Sequence, residues 1–134
     1  MTAVLDATVA VDVLAKTGRV PVAEAAIAEQ RAMASPLVAP SVIDLEVLNV
    51  LCRLERQGVL TAVELHAAVH RWRHFDVARE PVTALTSEVV SLRHNVSTAD
   101  AFYVALARFL SCPLITSDRR LAAAPNLGVR LVLV

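Results

Sequence analysis

Four carboxylates in this 134-residue chain are placed where they could act together: Asp6, Glu46, Asp100 and Asp118. Asp6 directly follows the apolar run AVL, and Asp118 comes just after PLIT. Glu46 falls in the second turn of the helical stretch that follows LVAP, and Asp100 in the first turn of the helix opened by Ser97-Thr98. Crowded acids repel: two at about 4 Å cost roughly 4 kcal/mol at an effective dielectric near 20. Either some of them hold protons or a cation lies among them. Oxygen donors without a nearby His/Cys set favour Mg²⁺ or Mn²⁺ over zinc. Such an ion activates water, clamps a phosphate and stabilises the leaving oxygen of an in-line displacement.

Each acid also has a plainer reading. Asp6 and Asp118 suit helix N-caps, and Asp100 suits a first-turn position favoured by the helix dipole. Glu46, Asn49 and Arg53 form a narrow stripe at helical spacing, as a solvent-facing surface would. The plain readings do not explain why the helix around Glu46 is otherwise so apolar (Val42, Ile43, Leu45, Val47, Leu48, Val50, Leu51). One shared site accounts for all four acids together.

The elements that must position them are short apolar strands alternating with helices. Strands are expected at 3–5, 37–39, 75–78, 113–116 and 130–134. Helices are expected from Thr8 to a stop at Gly18, over 21–34 with Pro21 in its first turn, over 41–58, from Thr61, over 82–93, over 98–110 and over 118–124. Ser41 with Asp44 resembles a capping box, and Asn126-Leu127-Gly128 reads as a turn. This alternation indicates an α/β fold with a mainly parallel sheet. In such a sheet, strand C-terminal ends and helix N-termini line one edge, where ligands bind. Asp6, Glu46, Asp100 and Asp118 should therefore crowd at that edge.

The segments VLDATVAVDVL, APSVIDLEVLNVLCRLERQGVLT, STADAFYVALA and CPLITSDRRL resemble, in order and spacing, the four motifs of the PIN domain. The closest likeness is to VapC-type toxins of bacterial toxin–antitoxin pairs, and it spans essentially the whole chain as one domain, 1–134. The resemblance implies a three-layer α/β/α fold and an RNA-cleaving enzyme dependent on Mg²⁺ or Mn²⁺. Its products would carry 5′-phosphate and 3′-hydroxyl ends, and transfer RNA is the first-choice substrate, ahead of ribosomal and messenger RNA. It also implies a homodimer and a small VapB-type antitoxin lying across the active site. Carried onto this chain, the family's acids are Asp6, Glu46, Asp100 and Asp118, with Thr8 and Thr116 at its hydroxyl positions. Asp6 and Asp100 would be the principal metal ligands. Asp118 and Glu46 would complete the shell, or hold the attacking water and accept its proton, while Thr8 and Thr116 orient carboxylates or phosphate.

Other features bound the function. Formal net charge is zero, with 13 basic and 13 acidic residues, so the chain lacks the strongly basic footprint of many nucleic-acid binders. Arg119 and Arg120, immediately after Asp118, are the cations best placed to meet a phosphate. Arg71, Trp72, Arg73 and Arg79 form a second candidate RNA contact. His66, His70 and His74 recur on one helix at a spacing that can bind zinc, but no Cys or carboxylate signature accompanies them. Lys16 is the sole lysine, which removes the late lysine a phospho-acceptor receiver needs. Thr8 stands where a haloacid-dehalogenase-type phosphatase carries its second Asp. A non-catalytic PIN-fold binding module is the remaining rival. Cys52 and Cys112 read as free thiols in a reducing cytoplasm. The N-terminus has no basic-then-apolar leader pattern, and no apolar run nears the ~18 residues of a membrane span. Apolar residues make up 56% of the chain and mean hydropathy is +0.56, so some apolar surface is expected to serve an interface.

Overall fold

The computed structural model describes residues 2–16 and 20–134. The helix stop expected at Gly18 lies outside the described residues. Five strands form one sheet: β1 (Ala3–Leu5), β2 (Leu37–Pro40), β3 (Ala78–Glu80), β4 (Leu114–Thr116) and β5 (Leu131–Leu133). Every neighbouring pair is parallel, in the order β3-β2-β1-β4-β5. The central strands are buried throughout, as expected of a parallel sheet covered on both faces.

The connections are helical. Helices α1 (Ala7–Ala15) and α2 (Val20–Ala32) join β1 to β2, and α3 (Ile43–Arg56) and α4 (Ala62–Arg73) join β2 to β3. A 3₁₀ turn (Thr83–Leu85), α5 (Thr86–Ser91) and α6 (Thr98–Leu110) lead to β4, and α7 (Arg119–Ala122) leads to β5. Helices α1 to α4 pack on one another, while α5 packs on α6, which lies against β1 and β2. The sheet thus lies between helical layers, the arrangement the sequence pattern indicated.

Local chemistry explains most boundaries. Thr61 and Glu64 form a reciprocal capping box at the start of α4: the Glu64 amide donates to Thr61 Oγ1 at 3.1 Å and the Thr61 amide to Glu64 Oε1 at 3.0 Å. Gly58, at φ +75°, takes the left-handed conformation that ends α3. Asn126 and Gly128 are both left-handed, which makes the turn before β5. The Ser41–Asp44 capping box does not form. Val42 occupies the N-cap of α3, and the Asp44 carboxylate is engaged elsewhere. It accepts from Trp72 Nε1 at 2.8 Å and from two nitrogens of Arg79 at 3.1 and 3.3 Å, with Arg79 stacked over the Trp72 ring. That cluster ties α3, α4 and β3 together. A long-range pairing of a buried indole N–H won over a local cap.

Two other boundaries move. The third strand begins at Ala78 rather than Phe75, and the 82–93 helix is a 3₁₀ turn followed by a six-residue helix. Cys112 is buried and Cys52 partly so, and both are free. No described helix is long and apolar enough to cross a membrane. Part of the apolar excess lies outside, with Val63 79%, Phe109 74% and Leu45 64% exposed.

Candidate active site

In the strand order β3-β2-β1-β4-β5 the chain builds outward from β1 in one direction and then starts again with β4 on its other side. The crevice at the C-terminal ends of β1 and β4 is therefore the topological switch point, where open α/β sheets bind ligands. Asp6 follows β1 and Asp118 follows β4, so both stand at that crevice.

Asp6 is only 2% exposed. It occupies the N-cap position of α1 but makes no capping bond with its side chain. Its Oδ2 instead accepts from Thr8 Oγ1 at 2.7 Å and from Thr116 Oγ1 at 2.6 Å. Both hydroxyls use the same oxygen, leaving Oδ1 outside that pair. The hydroxyls also accept: the Ser117 amide donates to Thr8 Oγ1 at 3.1 Å and the Asp118 amide to Thr116 Oγ1 at 3.0 Å. One hydrogen-bonded mesh thus stitches the loop after β4 to the loop after β1. Asp6 therefore holds the N-cap position without a side-chain cap, and its carboxylate is held by both threonine hydroxyls.

The other acids keep part of their plain readings. Asp118 caps α7, its Oδ1 accepting from the Arg120 amide at 2.8 Å and the Leu121 amide at 3.3 Å. Asp100 lies in the first turn of α6, where its amide donates to the Ser97 hydroxyl at 3.2 Å. Glu46 is half-buried, and its Oε1 is fully shielded without a hydrogen-bond partner. The Tyr103 hydroxyl is shielded and unpartnered as well. It lies close enough to Glu46 to influence it, without reaching hydrogen-bond geometry. Tyr103 is the chain's one tyrosine, on the buried face of α6; its presence within STADAFYVALA was the available signal, and sequence reasoning passed over it.

The acids act on one another. Burial raises the Asp6 pKa, the Thr116 and Thr8 hydrogen bonds oppose that, and the charge of Asp100 adds to it. Burial and the charge of Asp6 push Glu46 up to about 7, with Asp100 contributing. Asp100 is raised by burial and by the charge of Asp118. The four are linked pairwise into one region of unbalanced negative charge. Among the described residues, no three Asp, Glu, His or Cys side chains converge closely enough to ligate one ion as they stand. The donor chemistry still fits a hard divalent cation: carboxylate oxygens, one of them buried without a partner, with Asp6, Glu46 and Asp100 disfavoured as anions until a positive charge arrives.

The remaining candidates separate clearly. Arg119 and Arg120 are exposed on α7 beside Asp118. Trp72 and Arg79 are engaged with Asp44, and Arg71 donates to the Leu14 carbonyl at 2.6 Å. The three histidines are exposed, with the His70 and His74 rings 4.7 Å apart, and they belong to no metal cluster among the described residues. Beside Glu46, a cleft of about 660 Å³ opens between α1 and α3, with Thr8, Glu46 and Ser117 in its lining. Asn49 and Arg53 line it too, so the stripe they share with Glu46 faces a cleft rather than flat surface.

Comparison with known proteins agrees with this architecture. Residues 3–127 match the model of the PIN domain. Ribonuclease VapC9 of Mycobacterium tuberculosis is 36% identical over 119 residues, covering 89% of this chain and 87% of that protein. Ribonuclease VapC1 of the same species is 37% identical over 132 residues, covering 98% and 96%. Among solved structures, VapBC2 from Rickettsia felis, bound to a DNA fragment from its promoter, superposes with a TM-score of 0.72 at 13% identity, covering 98% of this chain and 97% of that one. FitAcB from Neisseria gonorrhoeae gives 0.66 at 17% identity, covering 97% and 96%. At those identities the structural matches speak for the fold alone, whereas the family model and the sequence relatives speak for descent. The chain belongs to the PIN-domain family, on the branch occupied by VapC proteins.

Proposed function

We propose that this protein is an endoribonuclease dependent on Mg²⁺ or Mn²⁺ and restrained by a VapB-type antitoxin in the cytoplasm. The observation that carries the reading is the buried Asp6, held by two threonine hydroxyls at the sheet's switch point and coupled electrically to Glu46 and Asp100. A structural N-cap needs none of this. The sequence relatives are named ribonucleases, and a toxin–antitoxin complex from Klebsiella pneumoniae shares the fold, with a TM-score of 0.60 at 18% identity.

Asp6 and Asp100 are the principal ligands in this reading, with Asp118 and Glu46 completing the set. When bound, the cation supplies charge stabilisation at the phosphoryl oxygens and lowers the pKa of water. The protein's own groups do the positioning. Thr8 and Thr116 fix Asp6 through Oδ2. Glu46, beside Asp6, accepts the proton of the attacking water in this reading. Arg119 and Arg120 attract the RNA backbone, and two copies of the chain associate through exposed apolar residues.

The test uses purified protein, labelled RNA pools and added Mn²⁺ or Mg²⁺, with and without a chelator. Chelator-sensitive cleavage leaving 5′-phosphate ends is expected. The Asp100→Asn variant should lose that cleavage with its circular dichroism spectrum intact. Retained cleavage by the variant would remove Asp100 from the active site. Absence of chelator-sensitive cleavage from every RNA pool would leave a PIN-fold binding module.

A further inference from the structure

The cleft between α1 and α3 is larger than the carboxylate site needs. From α1 it takes Val11 and Asp12, and from α3 Asn49, Val50, Arg53 and Leu54, one face of each helix. Arg53 lies seven residues beyond Glu46, about 10 Å along the helix axis. Asp12 lies one turn beyond Thr8. The side chains of Asp12, Asn49 and Arg53 have no hydrogen-bond or ion-pair partner among the described residues, although two of them are oppositely charged and share the cleft. This contrasts with Arg71, Arg79 and Arg108, each tied to protein acceptors. Three uncommitted polar groups around apolar walls, next to the acids, make a lining suited to a ligand that is flat, partly apolar and hydrogen-bonding.

We propose that this cleft seats the unpaired nucleotide adjoining the scissile bond, with Arg53 on its phosphate and Asn49 and Asp12 on the base edge. The proposal rests on the ribonuclease reading of the neighbouring carboxylates. The volume of the cleft, about 660 Å³, lies in the range of pockets that enclose small organic ligands, roughly 300–1,000 Å³. The chemistry selects among bases. A carboxylate accepts from an exocyclic amine such as cytosine N4, and an asparagine amide pairs with adenine N6 and N7. Uracil offers no amine. The subsite therefore favours the amine-bearing bases adenine, cytosine and guanine over uracil. Arg53 is the cation lining a cleft that is otherwise acidic, and a polyanion entering beside four carboxylates needs it.

The proposal is tested with the Asp100→Asn protein, which binds without cutting, in Mg²⁺-containing buffer. Fluorescence anisotropy of labelled oligo(A), oligo(C) and oligo(U) reads affinity against salt concentration. Oligo(A) or oligo(C) should bind at least about fivefold more tightly than oligo(U). Adding Asn49→Ala and Asp12→Ala should erase that preference. Adding Arg53→Ala should weaken all three oligomers alike by about tenfold and lower the salt slope of log K by about 0.7, a change that a merely structural role would not produce. Unchanged affinities, slope and preference in all the added variants, with their circular dichroism intact, would overturn the subsite and assign the cleft to a protein partner. Failure of the ribonuclease reading looks different: the wild-type protein would leave RNA uncut while Arg53-dependent binding persisted.

Discussion

Replacing Glu46 by Gln removes a charge that the fold holds at a disadvantage. Without metal, Glu46 has its pKa raised from 4.5 to about 7, first by burial and then by the negative charge of Asp6. A carboxyl with a raised folded-state pKa binds its proton more tightly in the native state than in the unfolded chain. The stability it contributes is present below the unfolded pKa and is lost as pH climbs from about 4.5 to 7. At about 1.4 kcal/mol per unit, the full shift corresponds to roughly 3 kcal/mol. Glu46 is only half-buried, so solvent screening reduces this to about 1–2 kcal/mol. The Glu46→Gln protein has no such titration. Its stability relative to wild type should therefore rise by about 1–2 kcal/mol between pH ~5 and pH ~8. Urea denaturation in the presence of a chelator measures the gap at each pH. Adding Mn²⁺ at pH ~8 should then favour wild type, because an ion bound only by the native state at a hundred times its Kd adds about 2.7 kcal/mol. A gap that stays flat with pH, or one that closes as pH rises, would refute the idea that Glu46 is an uncompensated anion.

Other outcomes follow from the same geometry. Thr116→Val keeps the shape but removes the donor to Asp6 and the acceptor for the Asp118 amide, so urea denaturation should show a loss of about 1–3 kcal/mol, and cleavage should slow as Asp6 loses its anchor. Asp44→Ala orphans the buried Trp72 indole N–H and unpairs Arg79, which should cost about 1–3 kcal/mol while leaving RNA affinity unchanged; a selective loss of RNA binding would return Trp72 and Arg79 to the substrate interface. Thr61→Ala removes the α4 cap and should lower the unfolding midpoint by an amount equivalent to about 1 kcal/mol, with no effect on cleavage.

The site was legible to different depths at different residues. Asp6 and Asp118 announced themselves because each follows a short apolar strand, and strand ends in a parallel sheet share an edge. Thr8 was visible only through family resemblance, since a hydroxyl two residues past an acid has no signature of its own. Asp44 misled: the Ser41–Asp44 spacing satisfies a local capping rule, while the structure spends that carboxylate on Trp72 and Arg79, 28 and 35 residues away. Asn49 and Arg53 are solvent-exposed, as one reading of their stripe had it, but helical periodicity shows which residues share a face, not that a cleft lies along it.

Taken alone, the order of residues settled the alternation of strand and helix and the family, and it pointed to the candidate acids, because these depend on short-range patterns and on motifs read within a few residues. Tertiary structure alone decided that Thr8 and Thr116, 108 residues apart, converge on one oxygen of Asp6. It also decided that Glu46 is starved of partners and that α1 and α3 leave a cleft between them. The reason is physical: burial, desolvation and the approach of distant charges are properties of packed surfaces, and those surfaces exist only once β4 has been laid beside β1.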